Sequence, residues 1–95
     1  MFARVTPYKM KPSATADAEA LMHKLKDQIM ALPGVKQFVN VMDDTGKGYV
    51  ISLVESREIS DGNQEKSKAI WAHFGPHLEA MPTAEGYDVL ANWKP

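Results

Sequence analysis

Two neighbouring apolar runs constrain the fold of this chain more than any other feature. The runs Val35 to Met42 and Gly48 to Glu55 are dominated by valine, isoleucine, phenylalanine, tyrosine and leucine, and the turn-forming residues 43–47 separate them. β-Branched and aromatic runs on either side of a short turn predict a β-hairpin. Neither run alternates cleanly between apolar and polar residues, so both faces of the two strands have to be covered.

Strict period-two spacing assigns the hairpin residues to faces. In the first run, Val35, Val39 and Val41 share one face, and Phe38 and Met42 share the other. The second run divides in the same way, with Tyr49, Ile51 and Leu53 on one face and Val50 and Val54 on the other. Large apolar side chains are therefore expected on both sides of the sheet.

A strand and a helix are predicted before the hairpin. Phe2 to Met10 is rich in β-forming residues, and Pro7 within it should cause a bulge or lie beside an unpaired position, because proline has no amide donor. Ser13 or Thr15 can cap a following amphipathic helix. The Pro33-Gly34 pair should end that helix.

A second helix and a last strand are predicted after the hairpin. Asp61 or Asn63 can cap the helix, and Gly75-Pro76 should kink or restart it, with a short turn over 76–80. Alternating residues from Tyr87 to Trp93 predict a fourth strand. The predicted order of elements is therefore βαββαβ.

This order predicts an α+β fold of the ferredoxin-like type, as a single domain over residues 1–95. Right-handed crossovers put both helices on one face of a four-stranded antiparallel sheet. The other face is then bare and apolar, which soluble monomers seldom tolerate. Two copies packed sheet to sheet would cover it, so we expect a homodimer.

Composition excludes several classes of function. The chain of 95 residues has no cysteine, which excludes disulfides, thiolate metal sites and cysteine nucleophiles. With 11 Lys and Arg against 12 Asp and Glu, no strong positive field attracts nucleic acid. We predict neither a signal peptide nor a membrane span, and a cytoplasmic location is expected.

Several segments resemble one known family over nearly the whole chain. They are Phe2-Ala3-Arg4-Val5, Leu32-Pro33-Gly34-Val35, Asp44-Thr45-Gly46-Lys47-Gly48 and the run from Trp71 to Leu78. In these segments the chain resembles the dimeric α+β barrel proteins, and among them the antibiotic-biosynthesis-monooxygenase-like domains. The resemblance implies a homodimer with a pocket that takes a small apolar or aromatic molecule.

Within that family the resemblance leaves the chemistry open. Relatives include cofactor-independent oxygenases of aromatic polyketides and quinols, haem-degrading monooxygenases, lactone isomerases and members without known activity. Haem-degrading relatives use an asparagine on the first strand, a tryptophan and an axial histidine. This chain has Thr6 on the first strand, and Trp71 and His77 lie six residues apart, which departs from that pattern. We therefore expect no cofactor, with haem as an alternative.

The second helix holds the candidate residues for proton transfer. His73 and His77 lie four residues apart, but Pro76 separates them and no third ligand is evident, so no metal site is predicted. Imidazole titrates near neutral pH, and His77 shares a helix face with Ile70 and Phe74. His77 is the predicted catalytic proton carrier, and a structural role at the kink is the alternative.

The remaining candidates would bind a substrate. Trp71 combines an apolar body with an N–H donor, and core packing is its alternative role. Asn40 is an amide among apolar residues, where it could orient a ligand or bond to a neighbouring strand. Arg4, Thr6 and Tyr8 form a polar strip on the first strand that could meet an acidic or quinol-like ligand, with hydrogen bonding between subunits as the alternative. Tyr49 and His73 complete the set of predicted site residues.

Three hypotheses follow for the whole chain. In the first, the protein is a cofactor-independent monooxygenase of an aromatic or quinol-like molecule. In the second, it is a non-catalytic dimeric module that binds a small ligand or serves assembly alone. In the third, it binds or degrades haem. A roomy cavity would favour the first, and an interior filled by side chains would favour the second.

Overall fold

The computed structural model describes residues 1–95, and an antiparallel sheet of four strands organises the chain. In chain order the strands are β1 (Phe2–Lys9), β2 (Val35–Met42), β3 (Lys47–Val54) and β4 (Glu85–Asp88). Their spatial order is β2-β3-β1-β4, and every pair is antiparallel. The predicted hairpin is confirmed as β2 and β3.

Helices fill both crossovers, and each helical region is broken in two. The segments are α1 (Thr15–Lys24), α2 (Lys26–Met30), α3 (Arg57–Gly62) and α4 (Gln64–Ala72). Short 3-10 turns lie at Pro12–Ala14 and Gly75–His77, the second where Gly75-Pro76 was predicted to restart the helix. None of the helices has the length and apolar character needed to cross a membrane. The predicted ferredoxin-like α+β fold is confirmed.

The core lies between one face of the sheet and the helices. Side chains from both layers form one buried apolar cluster: Tyr8, Met10, Ala18, Leu25, Ile29, Val50, Phe74 and Leu78. Burial of these side chains supplies the main force that holds the helices on this face. We call it the helix-covered face, and the opposite side the open face.

The predicted caps of the first helix are wrong, and of those predicted for the second helix only Asn63 occupies a cap position, at the start of α4. Ala14 occupies the cap position of α1 without a side-chain hydrogen bond, because the chain enters this helix through the 3-10 turn. In the second region Ser56 caps α3, where its hydroxyl accepts a hydrogen bond from the Ile59 amide at 3.2 Å. Asn63 precedes α4 at its cap position but makes no side-chain cap hydrogen bond, and its side-chain amide donates to the Pro33 carbonyl at 2.8 Å. That bond ties the second helical region to the end of the first.

The bulge in the sheet lies in β2. Pairing of β1 with β3 is continuous from Phe2 to Lys9, and Pro7 lies beyond the end of β4, with a strand on one side only. The register shifts instead between Val35 and Gln37. An extra residue in a strand shifts the alternation of its side chains between the two faces of the sheet. Val35 therefore lies opposite Val54 on the helix-covered face. Its predicted placement beside Val39 and Val41 is therefore wrong.

The last strand is shorter than predicted. β4 ends at Asp88, which pairs with Phe2 at the start of β1. Beyond Asp88 no residues of β1 remain as partners, so 89–95 form no strand. Leu90 and Trp93 in this segment are 96% and 91% exposed.

Candidate functional site

A cavity of about 430 Å³ lies between the helix-covered face and the helices. Hydrophobic side chains make up 15 of its 23 lining residues, and the remainder supply a small set of polar groups. This volume and this mixture are typical of a site for a small organic ligand.

Three rows of paired strand residues form one wall of the cavity. Each row crosses β1, β3 and β2 in that order: Arg4, Ser52 and Phe38; Thr6, Val50 and Asn40; Tyr8, Gly48 and Met42. All except Gly48 contribute to the lining. Polar groups from adjacent strands therefore face the ligand space beside apolar ones.

Gly48 lets the ring of Tyr8 cross β3. A Cβ atom at Gly48 would lie 2.5 Å from the Tyr8 hydroxyl oxygen, too close for any real contact. Across this glycine the Tyr8 hydroxyl donates to the Asn40 side-chain oxygen at 2.5 Å and lies 3.1 Å from the Val41 carbonyl. The aromatic ring thus links the first strand to the edge strand β2.

Burial and hydrogen bonding act in opposite directions on Tyr8. Desolvation raises the pKa of its phenol above the ordinary value of 10.0, and the hydrogen bond to Asn40 partly lowers it. The phenol is therefore neutral at physiological pH, so Tyr8 serves as a hydrogen-bonding and packing group and not as a base.

Aromatic side chains continue from Tyr8 into α4. The Tyr8 and Trp71 ring centroids are 5.7 Å apart at an interplanar angle of 50°. Trp71 and Phe74 follow at 5.8 Å and 58°. These tilted pairs are favourable arrangements of aromatic quadrupoles, and they give the cavity an aromatic wall.

Asn40 links the sheet to the first helix. Its side-chain amide donates to the Met22 sulfur at 3.0 Å while its oxygen accepts from Tyr8. Glu19 lies one turn before Met22 on α1 and is exposed at the rim of the cavity. Glu19 is the one carboxylate among the lining residues, which include no histidine.

Arg4 and Ser60 mark the other end of the cavity. An Arg4 guanidinium nitrogen lies 3.5 Å from the Ser60 backbone carbonyl, and no carboxylate pairs with this arginine. The Ser60 hydroxyl is buried without a hydrogen-bond partner. A second, more polar cavity adjoins here and shares Arg4, Thr6, Ser60, Ser67 and Trp71 with the first.

The structure brings together three of the six predicted site residues. Arg4, Asn40 and Trp71 line the cavity. Tyr49 projects from the open face, where it is 40% exposed and lies opposite Pro7.

The two candidate histidines lie apart from both cavities. His73 is exposed at the end of α4, and His77 ends the 3-10 turn that follows. The break at Phe74 to Pro76 interrupts the helical spacing that would have put His77 in line with Ile70. No group of three or more histidine and acidic side chains is arranged to hold a metal ion.

Sequence reasoning did not assign Tyr8, Glu19 and Ser60 to the site. Tyr8 belonged to the predicted polar strip, and the hairpin glycine opposite it was the signal for its role. Glu19 lies on α1 beside Ala18 and one turn before Met22, which both line the cavity. In the sequence alone it has the pattern of an ordinary exposed charged residue. Ser60 carries no sequence signal, because only the fold brings it to Arg4.

Comparison with known proteins decides the fold family. No protein-family model and no curated protein matches the chain. Among solved structures, one from Caulobacter crescentus CB15, provisionally named an antibiotic biosynthesis monooxygenase, matches with a TM-score of 0.77 at 21% identity, covering 95% of this chain and 90% of that chain. A protein of unknown function from Nitrosomonas europaea matches with a TM-score of 0.81 at 16% identity, covering 99% and 93%.

This chain has the antibiotic-biosynthesis-monooxygenase-like fold. A further solved structure described as an antibiotic biosynthesis monooxygenase agrees, with a TM-score of 0.75 at 18% identity over 96% of this chain and all of that one. The fold that the sequence resemblance implied is thereby confirmed. Chains with the antibiotic-biosynthesis-monooxygenase-like fold differ in function, so the chemistry has to be argued from the cavity.

Proposed function

We propose that this protein is a cofactor-independent monooxygenase that acts, as a homodimer, on an aromatic or quinol-like small molecule. The observation that carries the proposal is the cavity of about 430 Å³, which combines an aromatic wall with a few polar groups. An interior filled by side chains would leave no space for a substrate, and this interior has that space.

The open face supports the homodimer. Val39, Tyr49 and Tyr87 project from it and are 37%, 40% and 51% exposed. Ile51 and Leu53 lie between them on β3 and are partly exposed. A contiguous apolar surface on a sheet is a site of association, and a second copy packed on it would bury both surfaces at once.

The lining residues can activate an ionisable substrate. Trp71 and Phe74 would pack against its rings, and Asn40 would hold its oxygen through the amide group. Glu19 would accept a proton from the acidic carbon beside that oxygen. The electron-rich carbanion then reacts with O₂, so that a CH₂ group and O₂ become a C=O group and water. One oxygen atom enters the product and the other leaves as water.

Glu19 replaces His77 as the proton acceptor in this proposal. Glu19 lines the cavity one helical turn before Met22, the residue to which Asn40 donates a hydrogen bond, whereas His77 lines neither cavity. A general base has to come within hydrogen-bonding distance of the proton that it removes, so geometry favours the carboxylate.

Anthrone is a suitable test substrate, because it is a three-ring aromatic ketone with an acidic CH₂ group. We expect the protein to consume O₂ and release anthraquinone faster than a heat-denatured control does. With ¹⁸O₂, the product should gain one labelled oxygen atom. Glu19→Gln should lower the rate about hundredfold or more, and His77→Gln should leave it within twofold.

The outcomes separate the first two functional hypotheses. Binding of anthrone without turnover would favour the non-catalytic ligand-binding module. Equal rates in the wild type and Glu19→Gln would remove the carboxylate from the mechanism. A loss of rate in His77→Gln alone would restore the histidine and show that the cavity described here is not where the proton is transferred.

A further inference from the structure

The end of the cavity at Arg4 has the features of an anion site. Arg4 is half-buried in the central strand β1, lines both cavities and has no carboxylate partner. The guanidinium group of Arg4 makes one hydrogen bond inside the chain, a long contact of 3.5 Å to the Ser60 carbonyl. A guanidinium group has five donors in a planar fork, so most of its capacity is unused here.

Ser60 gives a second, independent indication of a ligand. This residue is 1% exposed, and its hydroxyl has no hydrogen-bond partner. A buried hydroxyl without a partner is costly, and such groups in folded proteins call for an explanation. An acceptor oxygen bound beside Arg4 would supply the missing partner.

Other polar groups surround the same position. Thr6 is 3% exposed and faces the cavity one row from Arg4, and Ser67 reaches it from α4. The adjoining cavity is also lined by Asp61, Lys68 and Glu85, and Glu85 shares the open face of β4 with Tyr87. The Glu85 carboxylate accepts a hydrogen bond from the Tyr87 hydroxyl at 2.6 Å.

We infer that the ligand is an aromatic carboxylate, whose charged group is bound by Arg4 and Ser60 and whose rings lie against Trp71. The inference rests on the proposed function, because it uses the same cavity. Arg4 and Tyr8 are four residues apart on β1, which separates their Cα atoms by about 13 Å. A ligand held at Arg4 therefore keeps its charge away from Glu19 and extends its rings along the aromatic wall.

A carboxylate fits this end better than a neutral oxygen does. Two carboxylate oxygens match the guanidinium fork, and either can also accept the Ser60 hydroxyl hydrogen. A neutral amide has a single acceptor oxygen, and its NH₂ group would face a cation. The site should therefore discriminate between ligands of equal shape by their charge.

The test compares 2-naphthoate with 2-naphthamide, which share a two-ring body and differ in charge. Binding is measured by isothermal titration calorimetry on the full chain. We expect the wild type to bind naphthoate at least tenfold more tightly. Arg4→Gln should weaken naphthoate binding by about ten- to hundredfold and change naphthamide binding by less than twofold.

Arg57→Gln is the matched control for charge. Arg57 lies over the Phe2 ring at 5.1 Å and near Asp88, outside both cavities. Arg57→Gln should change the affinities for naphthoate and naphthamide by less than twofold from those of the wild type. Arg4→Lys should recover part of the affinity for naphthoate, since it restores the charge without the fork.

Ser60→Ala separates a binding role from a structural one. Removing a buried hydroxyl that has no partner should not lower the thermal stability of the ligand-free protein. The same variant should weaken naphthoate binding by about threefold to tenfold. A loss of stability without a loss of affinity would overturn the role of Ser60.

The remaining outcomes distinguish this inference from the proposed function. Equal binding of both ligands, with Arg4→Gln without effect, would overturn the anion site and leave the cavity as an aromatic site. Equal weakening by Arg4→Gln and Arg57→Gln would also overturn it, because a general charge effect would explain both. Failure of both ligands to bind would overturn the inference together with the proposed aromatic site.

Discussion

The two faces of the sheet differ in their environment: the helix-covered face carries polar groups among the apolar residues of the core and cavity, and the open face carries exposed apolar residues. On the helix-covered face, Thr6 and Asn40 contribute polar groups to the cavity. On the open face, Val39, Ile51 and Tyr49 contribute apolar surface that is partly or largely exposed. The enclosed side is therefore suited to ligand chemistry, and the exposed side is suited to association.

This contrast shows how one short sheet can serve two purposes. Period-two alternation sends neighbouring residues to opposite faces, so a polar residue in the cavity sits beside an apolar residue on the open face. Asn40 and Val39 illustrate this on β2, and Ser52 and Ile51 illustrate it on β3.

The largest expected effect concerns the open face. Ile51→Lys puts a charge in the middle of the apolar surface, where a second copy would have to bury it, so we expect the proposed homodimer to dissociate, with a rise in its Kd of more than about hundredfold. Sedimentation velocity over a range of concentrations would measure this. Gln28→Lys on the exposed side of α2 adds the same charge and should leave association unchanged. A wild type that stays monomeric at high concentration would contradict the role of this face.

The next effect concerns the packed core on the helix-covered face. Leu78 is 4% exposed in the core cluster, and Leu78→Ala should lower the free energy of unfolding by about 3 kcal/mol. Leu90→Ala, at a position that is 96% exposed, should change it by less than about 0.5 kcal/mol. Urea denaturation of the two variants would measure the difference. Equal losses would mean that residues 89–95 are buried in solution.

Gly48 tests the arrangement of Tyr8 within the cavity. Gly48→Ala puts a methyl group against the Tyr8 hydroxyl and the Val41 carbonyl, so we expect a loss of about 2 kcal/mol in the free energy of unfolding. Gly62→Ala has open space around its Cβ and should stabilise the chain by up to about 1 kcal/mol. Should both variants gain stability, the Tyr8 ring does not cross β3 as described.

The smallest expected effect on stability comes from removing the hydrogen bond between Tyr8 and Asn40. Tyr8→Phe should cost about 1 kcal/mol at neutral pH, since it leaves Asn40 without its donor. Burial raises the pKa of the folded phenol above 10.0, so the folded chain holds this proton more tightly than the unfolded chain does. The phenol proton therefore contributes fully to the stability of the folded chain below pH 10, and this contribution is lost as the pH rises through the raised pKa.

Unfolding midpoints from pH 7 to about pH 11 would test the sign of this dependence. The wild type should lose stability more steeply above pH 10 than Tyr8→Phe does. The two proteins differ only at this side chain, so the difference between the two curves isolates Tyr8. Parallel curves would contradict the burial of its phenol.

The sequence predicted the fold better than the site. Strand and hairpin patterns were sufficient to predict the order of the elements, because these patterns are local. The preference for right-handed crossovers then fixes the topology. The facing of Val35 was wrong, because a bulge leaves no clear trace in a run of apolar residues. The last strand was predicted too long, because an alternating pattern does not show whether a partner strand extends beside it.

The candidate residues that line the cavity are those whose residue type and position on a strand or helix agreed. Arg4 and Asn40 belong to strands whose period-two pattern carries them to the cavity, and Trp71 belongs to the inward side of α4. His77 was placed in the site by helical spacing through Pro76, and the helix does not continue there. Spacing is informative only as far as the element that carries it continues.

The sequence by itself determined the order of the elements, the hairpin and the excess of apolar surface on a sheet with helices on one side. These properties follow from local preferences and from the two-residue period of strands, which act along the chain. Only the tertiary structure decided that Ser60 meets Arg4, that Tyr8 crosses Gly48 to reach Asn40, and that Glu19 borders the cavity. Such contacts join residues far apart in the sequence, and their chemistry depends on distances and burial that arise only when the layers pack.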